Sequence, residues 1–373
     1  EYRHQSDGAY GGVRTPGPGR TRPAPAAAVA KIGDHEPREV LAIDATPAVL
    51  DRARSLGFAI RETAALERLG LRVTRLRAPA KRSAPQALRL LQRRIPGGDF
   101  ALNHVYRLAA EPCPDSRCYG STLIGWDRAS GNCGRGLKLG MVDTAVNGQA
   151  PALAGRRVEI RSFAEDGKAS APTHGTAVAA LLVGSAASEF PGLLPEAELY
   201  AADTFIGTGA DLRTNALLLG KGLDWLLDKR APVVNASLTG PDNKLLREVI
   251  RRLSARDVAV VAAAGNGGPS APPAFPAAYP EAIAVTAVDK LLRPYRSANR
   301  GEYVTVAAPG VVDQEARHVG GADHAVAPRD ARTRGCDPAG MVAGAGALRR
   351  RVRGRRPDAA GAHGGGWARA YRR

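Results

Sequence analysis

Aromatic side chains are scarce in this 373-residue chain, at 5%, with three Trp and six Phe. Stacking platforms of the kind that hold single-stranded nucleic acid are therefore lacking, and no nucleic-acid-binding module is recognisable. Long hydrophobic runs are missing too. No stretch of about 18 apolar residues occurs, which excludes a membrane-spanning helix. Cysteine is limited to Cys113, Cys118, Cys133 and Cys336. Cys113 and Cys118 form a C-x4-C pair, but no second Cys or His pair follows at zinc-finger spacing. A disulfide among the first three, tying down a linker in an oxidising compartment, is the expected use, with the pairing left open. Serine is absent after Ser297.

Positive charge is abundant: 53 Lys+Arg against 36 Asp+Glu give a formal charge of +17. It is mostly Arg scattered along the chain, which reads as an Arg-rich, Lys-poor composition rather than as a nucleic-acid face. With 44% hydrophobic and 24% charged residues the composition is that of a globular protein. The length fits about two domains, each able to bury a core. The chain opens at Glu1 without an initiator Met or a signal-peptide pattern, so its front end leaves the compartment unread.

Composition divides the chain into segments. Residues 1–36 are rich in Gly, Pro and Ala and read as a flexible lead-in. Residues 37–108 carry a compact pattern. A short apolar strand at 40–43 is followed by Thr46-Pro47, a helix start with Thr as N-cap and Pro in the first turn. Strand-like segments follow at 58–61 and 71–76. Ser83-x-x-Gln86 is a capping box that opens a second helix, and a last strand spans 100–108. The order βαββαβ predicts a small ferredoxin-like domain. Residues 109–135 form a Cys-containing linker.

From 136 to 311 short apolar runs (137–142, 199–202, 233–235, 258–263, 283–287, 304–307) alternate with helical stretches at 215–229 and 243–255. This predicts a parallel sheet covered by helices on both faces, with chemistry at the carboxyl ends of its strands. Three segments stand there. Gly140-Met141-Val142-Asp143-Thr144 ends a buried strand in an acid, which alone reads as a capping or turn Asp. Thr173-His174-Gly175-Thr176-Ala177-Val178-Ala179 sets a His at the mouth of an Ala-rich helix, with Gly175 leaving room for a close backbone approach. Ala263-Ala264-Gly265-Asn266-Gly267 ends a core strand in an amide, either a turn residue or a donor to a developing oxyanion.

Taken together, in order, spacing and flanking residues, these segments resemble the subtilisin-like serine proteases, or subtilases. The resemblance runs from about residue 137 to 310. Asn235-Ala236-Ser237-Leu238-Thr239-Gly240-Pro241 looks like the family's substrate-binding strand. The resemblance implies a subtilisin-like α/β fold, a parallel sheet with helices on both faces, preceded by a small ferredoxin-like α+β domain in the position of a propeptide. It implies a serine endopeptidase in which Asp143 orients His174, His174 is general base, Asn266 serves the oxyanion hole, and Ser237, Leu238, Thr239 and Gly240 hold an extended substrate. The partners expected are polypeptide substrates and the chain's own propeptide-like domain as an intramolecular inhibitor, without nucleic acid or a membrane span. The expected location is secreted or periplasmic. No cofactor is called for and no metal ligands are assigned; structural calcium stays open, since no Asp/Glu-rich loop has recognisable metal spacing.

The nucleophile departs from the family. A Gly-Thr-Ser-x-Ala-x-Pro segment is expected some 60–70 residues after the oxyanion Asn, but residues 312–373 contain no serine. Thr333 sits between Arg332 and Arg334 without the glycine and alanine context of the motif. This basic, low-complexity segment also lacks Ile, Phe and Lys, and its only Leu is Leu348. It has the bias of a GC-rich gene translated out of frame, with the break expected near Val311–Gln314. The expected function is therefore either a serine endopeptidase whose serine is missing from this chain, or an inactive subtilase homologue that binds peptides without cleaving them.

Overall fold

A computed structural model describes residues 33–109, 133–164, 167–185, 187–188, 192–289 and 291–310. The lead-in before residue 33, most of the Cys-containing linker and the basic segment after 310 lie outside the described residues. So do Cys113, Cys118 and Cys336.

The N-terminal domain follows the order read from the sequence: β1 (His35–Ile43), α1 (Pro47–Ser55), β2 (Ala59–Leu66), β3 (Leu71–Arg77), α2 (Ala84–Arg94) and β4 (Asp99–Leu108). Local chemistry sets both helix starts. The Thr46 hydroxyl accepts from the Val49 amide at 3.4 Å. Ser83 and Gln86 close a reciprocal capping box, in which the Ser83 amide donates to Gln86 Oε1 at 3.0 Å. The four strands pair antiparallel in the order β4-β1-β3-β2. Alternation along β1 separates two cores. Val40 and Ala42 pack with Phe58, Leu91 and Phe100 on the helical side, whereas Leu41 and Ile43 join the core of the larger domain.

The larger domain contains β5 (Lys138–Asp143), β6 (Arg157–Ser162), α3 (Thr173–Val183), β7 (Glu198–Asp203), β8 (Thr214–Asn215), α4 (Ala216–Asp228), β9 (Val233–Ala236), β10 (Leu238–Thr239), α5 (Lys244–Ala255), β11 (Ala259–Ala263), β12 (Ala282–Val288) and β13 (Val304–Pro309). Seven strands pair parallel in the order β13-β12-β11-β9-β5-β7-β6. Side chains of α3 and β5, such as Val178 and Met141, form one core cluster. On the opposite face α4 and α5 pack over Val142, Val234 and Val260. Asn215 and Asn243 cap these two helices, accepting from Leu218 N at 3.0 Å and Leu246 N at 3.1 Å. The edge strand β6 (Arg-Val-Glu-Ile-Arg-Ser) gives no sign of itself in the sequence, because it is largely exposed and alternates charge.

The N-terminal sheet lies against α4 and α5. Leu66 packs over Gly220 of α4, where an added Cβ would sit 3.2 Å from Leu66 Cδ1. The turn between β2 and β3 is clasped at both of its polar ends. Asp224 Oδ1 accepts from the Leu69 amide at 2.8 Å, and Arg252 Nη1 donates to the Leu69 and Gly70 carbonyls at 2.6 and 2.7 Å. Arg213 Nε lies 3.2 Å from Glu36 Oε1, and Lys221 pairs with Glu62.

Candidate active site

Parallel register brings three strand ends to one edge of the sheet. Val142 in β5 is level with Ala236 in β9, and Ala236 with Ala262 in β11. Asp143 at the end of β5, Ser237 just after β9 and the Ala264–Asn266 turn just after β11 therefore lie at adjacent strand ends on the same side. This is where an open parallel sheet collects ligands.

Asp143 is fully buried, and its Oδ1 lies 2.7 Å from His174 Nδ1. The same oxygen accepts from the Thr144 amide at 2.7 Å, so the turn role and the partner role coexist in one residue. A carboxylate only accepts, so the imidazole hydrogen belongs on Nδ1, which leaves the Nε2 lone pair able to accept a proton. Nε2 is buried and has no hydrogen-bond partner among the described residues. The mouth of α3 presses directly on the strand end. Thr144 Oγ1 accepts from the Gly175 amide at 2.8 Å, and a Cβ on Gly175 would lie 2.3 Å from the Thr144 carbonyl. Only glycine lets the helix carry His174 this close to Asp143.

A second carboxylate stands one strand away. Asp203 ends β7 level with Asp143, accepts from Ser170 Oγ at 2.8 Å and from Ser170 N at 3.0 Å, and is buried. Burial pushes its carboxyl upward from the ordinary range, against the downward pull of these hydrogen bonds. Ser170 Oγ also accepts from the Ala145 amide at 2.9 Å, which ties Asp203 to the loop after Asp143. Neither residue is among the sequence candidates, although an apolar strand ending in Asp is the same signal that singles out Asp143.

Asn266 and the segment 237–240 meet through the N-terminal domain. β4 pairs antiparallel with β10, Leu108 opposite Leu238 and Arg107 opposite Thr239. Beyond the strand, the Ala109 amide donates to the Ser237 carbonyl at 3.1 Å, and the Asn266 side-chain amide donates to the Ala109 carbonyl. Two residues before Leu108, Tyr106 is fully buried over Gly240, and its hydroxyl donates to the Pro241 carbonyl at 3.1 Å. Among the described residues no hydrogen bond joins the Asp143–His174 pair to Asn266; the sheet register relates them. No cluster of three or more His, Cys, Asp or Glu among the described residues could hold a metal ion, and none of the helices there is long and apolar enough to cross a membrane.

The sequence pattern of the Subtilase family (Peptidase_S8) matches residues 134–348. This chain belongs to the subtilase family. The matched stretch contains Asp143, His174, Ser237–Gly240 and Asn266, and it continues past Gly310 into the basic segment. Among curated relatives, the chain is 32% identical over 209 residues to thermitase from Thermoactinomyces vulgaris, covering 54% of this chain and 72% of thermitase. To the minor extracellular protease Epr of Bacillus subtilis (strain 168) it is 30% identical over 188 residues, covering 48% of this chain and 28% of Epr. In fold it is similar to fervidolysin from Fervidobacterium pennivorans, a keratinolytic enzyme related to subtilisin, with a TM-score of 0.60 at 21% identity, over 76% of this chain and 48% of that one. The subtilase chain described here thus spans about half of fervidolysin and less than a third of Epr. Cys133 is buried and disulfide-bonded, with its partner outside the described residues.

Proposed function

We propose that this subtilase chain carries the peptide groove and general base of a serine endopeptidase, and that its N-terminal domain is a propeptide seated in that groove as an intramolecular inhibitor. The observation that carries the reading is the Ala109 carbonyl resting on the Asn266 amide while Arg107–Ala109 follows the 237–239 segment as an added strand. A scissile carbonyl belongs at an oxyanion donor. The bond on offer is the peptide bond that follows Ala109 in the sequence, so Ala109–Ala110 is the processing point.

With the family's serine in place, its Oγ would attack that carbonyl and pass its proton to His174 Nε2, and Asn266 would donate to the resulting oxyanion. His174 would return the proton to the leaving amine, and water would then release the acyl group by the reverse sequence. Asp143 holds the imidazole in the tautomer these steps need. No serine follows Ser297, so the chain as written holds a peptide without cutting it. The second reading is a non-cleaving homologue that binds peptides in the same groove, and the missing serine is common to both. A secreted or periplasmic location is supported by the disulfide at Cys133 and by the name of the extracellular protease among its relatives.

The encoding DNA from the Ala307 codon onward, read in its other two frames, separates the two readings. A Gly-Thr-Ser segment in either frame is expected for the endopeptidase, and its absence from both assigns the non-cleaving homologue. The chain as written is expected to stay whole at Ala109–Ala110 and to resist a serine-directed phosphonate. Peptide turnover that vanishes in His174→Ala would overturn that expectation.

A further inference from the structure

We propose that the outer face of the N-terminal domain binds a flexible polyanion, a linear chain of closely spaced phosphate or sulphate groups. The loop after β3 and the exposed side of α2 enclose a concavity of 590 Å³ lined by Lys81, Arg82, Gln86, Arg89 and Arg93 together with Pro79 and Ala80. Gln86, Arg89 and Arg93 succeed one another at three- and four-residue steps, so they stand on one face of the helix. No Asp or Glu lines the concavity, and α2 (Ala-Pro-Gln-Ala-Leu-Arg-Leu-Leu-Gln-Arg-Arg) contains none.

Several exposed arginines elsewhere lie against carboxylates, among them Arg54 on Asp51, Arg68 on Asp228 and Arg247 on Asp242. Here four cations, Lys81, Arg82, Arg89 and Arg93, converge without a carboxylate partner among the described residues. Like charges gathered on one surface repel, and an anionic chain threading the concavity removes that repulsion while releasing its own counterions. The position fits a ligand that leaves the groove alone. Leu91 of α2 packs with Val40 and Ala42, on the side of the sheet opposite Leu41 and Ile43, which face the larger domain. The concavity therefore stays open while the domain is docked.

Binding of fluorescently labelled inorganic polyphosphate to the full chain tests the site. Four contacts to a flexible strand weaken affinity about 50-fold between 50 and 200 mM salt, and two contacts only about 7-fold. The Arg89→Gln/Arg93→Gln double variant is expected to move from the first value toward the second. Arginine modification by phenylglyoxal, mapped by mass spectrometry, separates this site from the Arg-rich C-terminal segment. Polyphosphate is expected to slow modification of Arg89 and Arg93 several-fold and to leave Arg54 unchanged. Stronger competition by polyphosphate than by heparin assigns phosphate as the group recognised, and the reverse assigns sulphate. A salt slope unchanged in the double variant, or equal protection of Arg54 and Arg89, would overturn the site.

Discussion

Gly240→Ala puts the docking of the N-terminal domain to the sharpest test. An added Cβ would lie 2.3 Å from Tyr106 Cδ1 and within 2.8 Å of two further ring atoms. Ordinary contact needs more than an ångström of extra room, and Tyr106 is fully buried with its hydroxyl bonded to the Pro241 carbonyl. Overpacking of this kind costs about 1–3 kcal/mol, so opening of the β4–β10 pair should become roughly 5- to 150-fold more frequent. Hydrogen exchange at the Ala109 amide, which donates to Ser237 at 3.1 Å, reads this opening directly. Amides between β5 and β7 should not change. A double-mutant cycle isolates the cause. In a Tyr106→Ala background the ring is gone, and Gly240→Ala should cost almost nothing more. Unchanged exchange at Ala109, or a penalty that persists undiminished without the ring, would refute the proposed seating of Tyr106.

Other perturbations reach the same site from different sides. Asn266→Ala removes the donor to the Ala109 carbonyl and should weaken local docking by about 0.5–1.5 kcal/mol, seen as faster Ala109 exchange with little change in global Tm. His174→Ala takes a hydrogen bond from the buried Asp143 carboxylate and should lower stability by about 2 kcal/mol in a denaturant titration. Acid should loosen the N-terminal domain through His104, whose Nδ1 lies 2.9 Å from Asn243 Nδ2. Burial lowers the His104 pKa, with His35 acting in the same direction and Asp34 and Asp242 opposing. A histidine lowered on folding contributes stability above its unfolded value of about 6.5, and this is lost as pH falls from there through the folded value. Docking followed by exchange should weaken over that window in the parent and stay flat in His104→Gln. Glu248 loses its contribution in the same direction, but in a more acidic window. Hydrogen bonds from Arg251, aided by Arg252, hold it at about 2, so the stability it contributes above about pH 4.5 should fade as pH drops toward 2, and Glu248→Gln should remove that slope in urea titrations.

Helix starts are legible in the sequence because their causes are local: Thr46, Ser83 with Gln86, Asn215 and Asn243 each satisfy amides three residues away. The core strands are legible as apolar runs. β6 is not, because an edge strand buries little and its charged residues face water. Asp143 and His174 stand apart by 31 positions, and their meeting is legible only through a family pattern, since each residue alone also fits a cap. The seating of Arg107–Ala109 leaves no mark in the sequence. Antiparallel pairing between β4 and β10 joins segments more than a hundred residues apart, and nothing in Tyr106 or Leu108 distinguishes a groove-filling strand from an ordinary one.

Leu66 over Gly220, and Leu41 and Ile43 in one core with residues of α4 and α5, would govern the fate of the N-terminal domain if the proposed Ala109–Ala110 bond were cut. Scission would alter a single covalent link and leave this apolar footprint, together with the clasp at Leu69 and Gly70, as it was. The severed fragment would stay put, and vacating the groove would require that the fragment itself be unfolded or digested. A body stripped of it would then show water a leucine- and valine-rich scar, each square ångström of which favours re-covering by about 25 cal/mol.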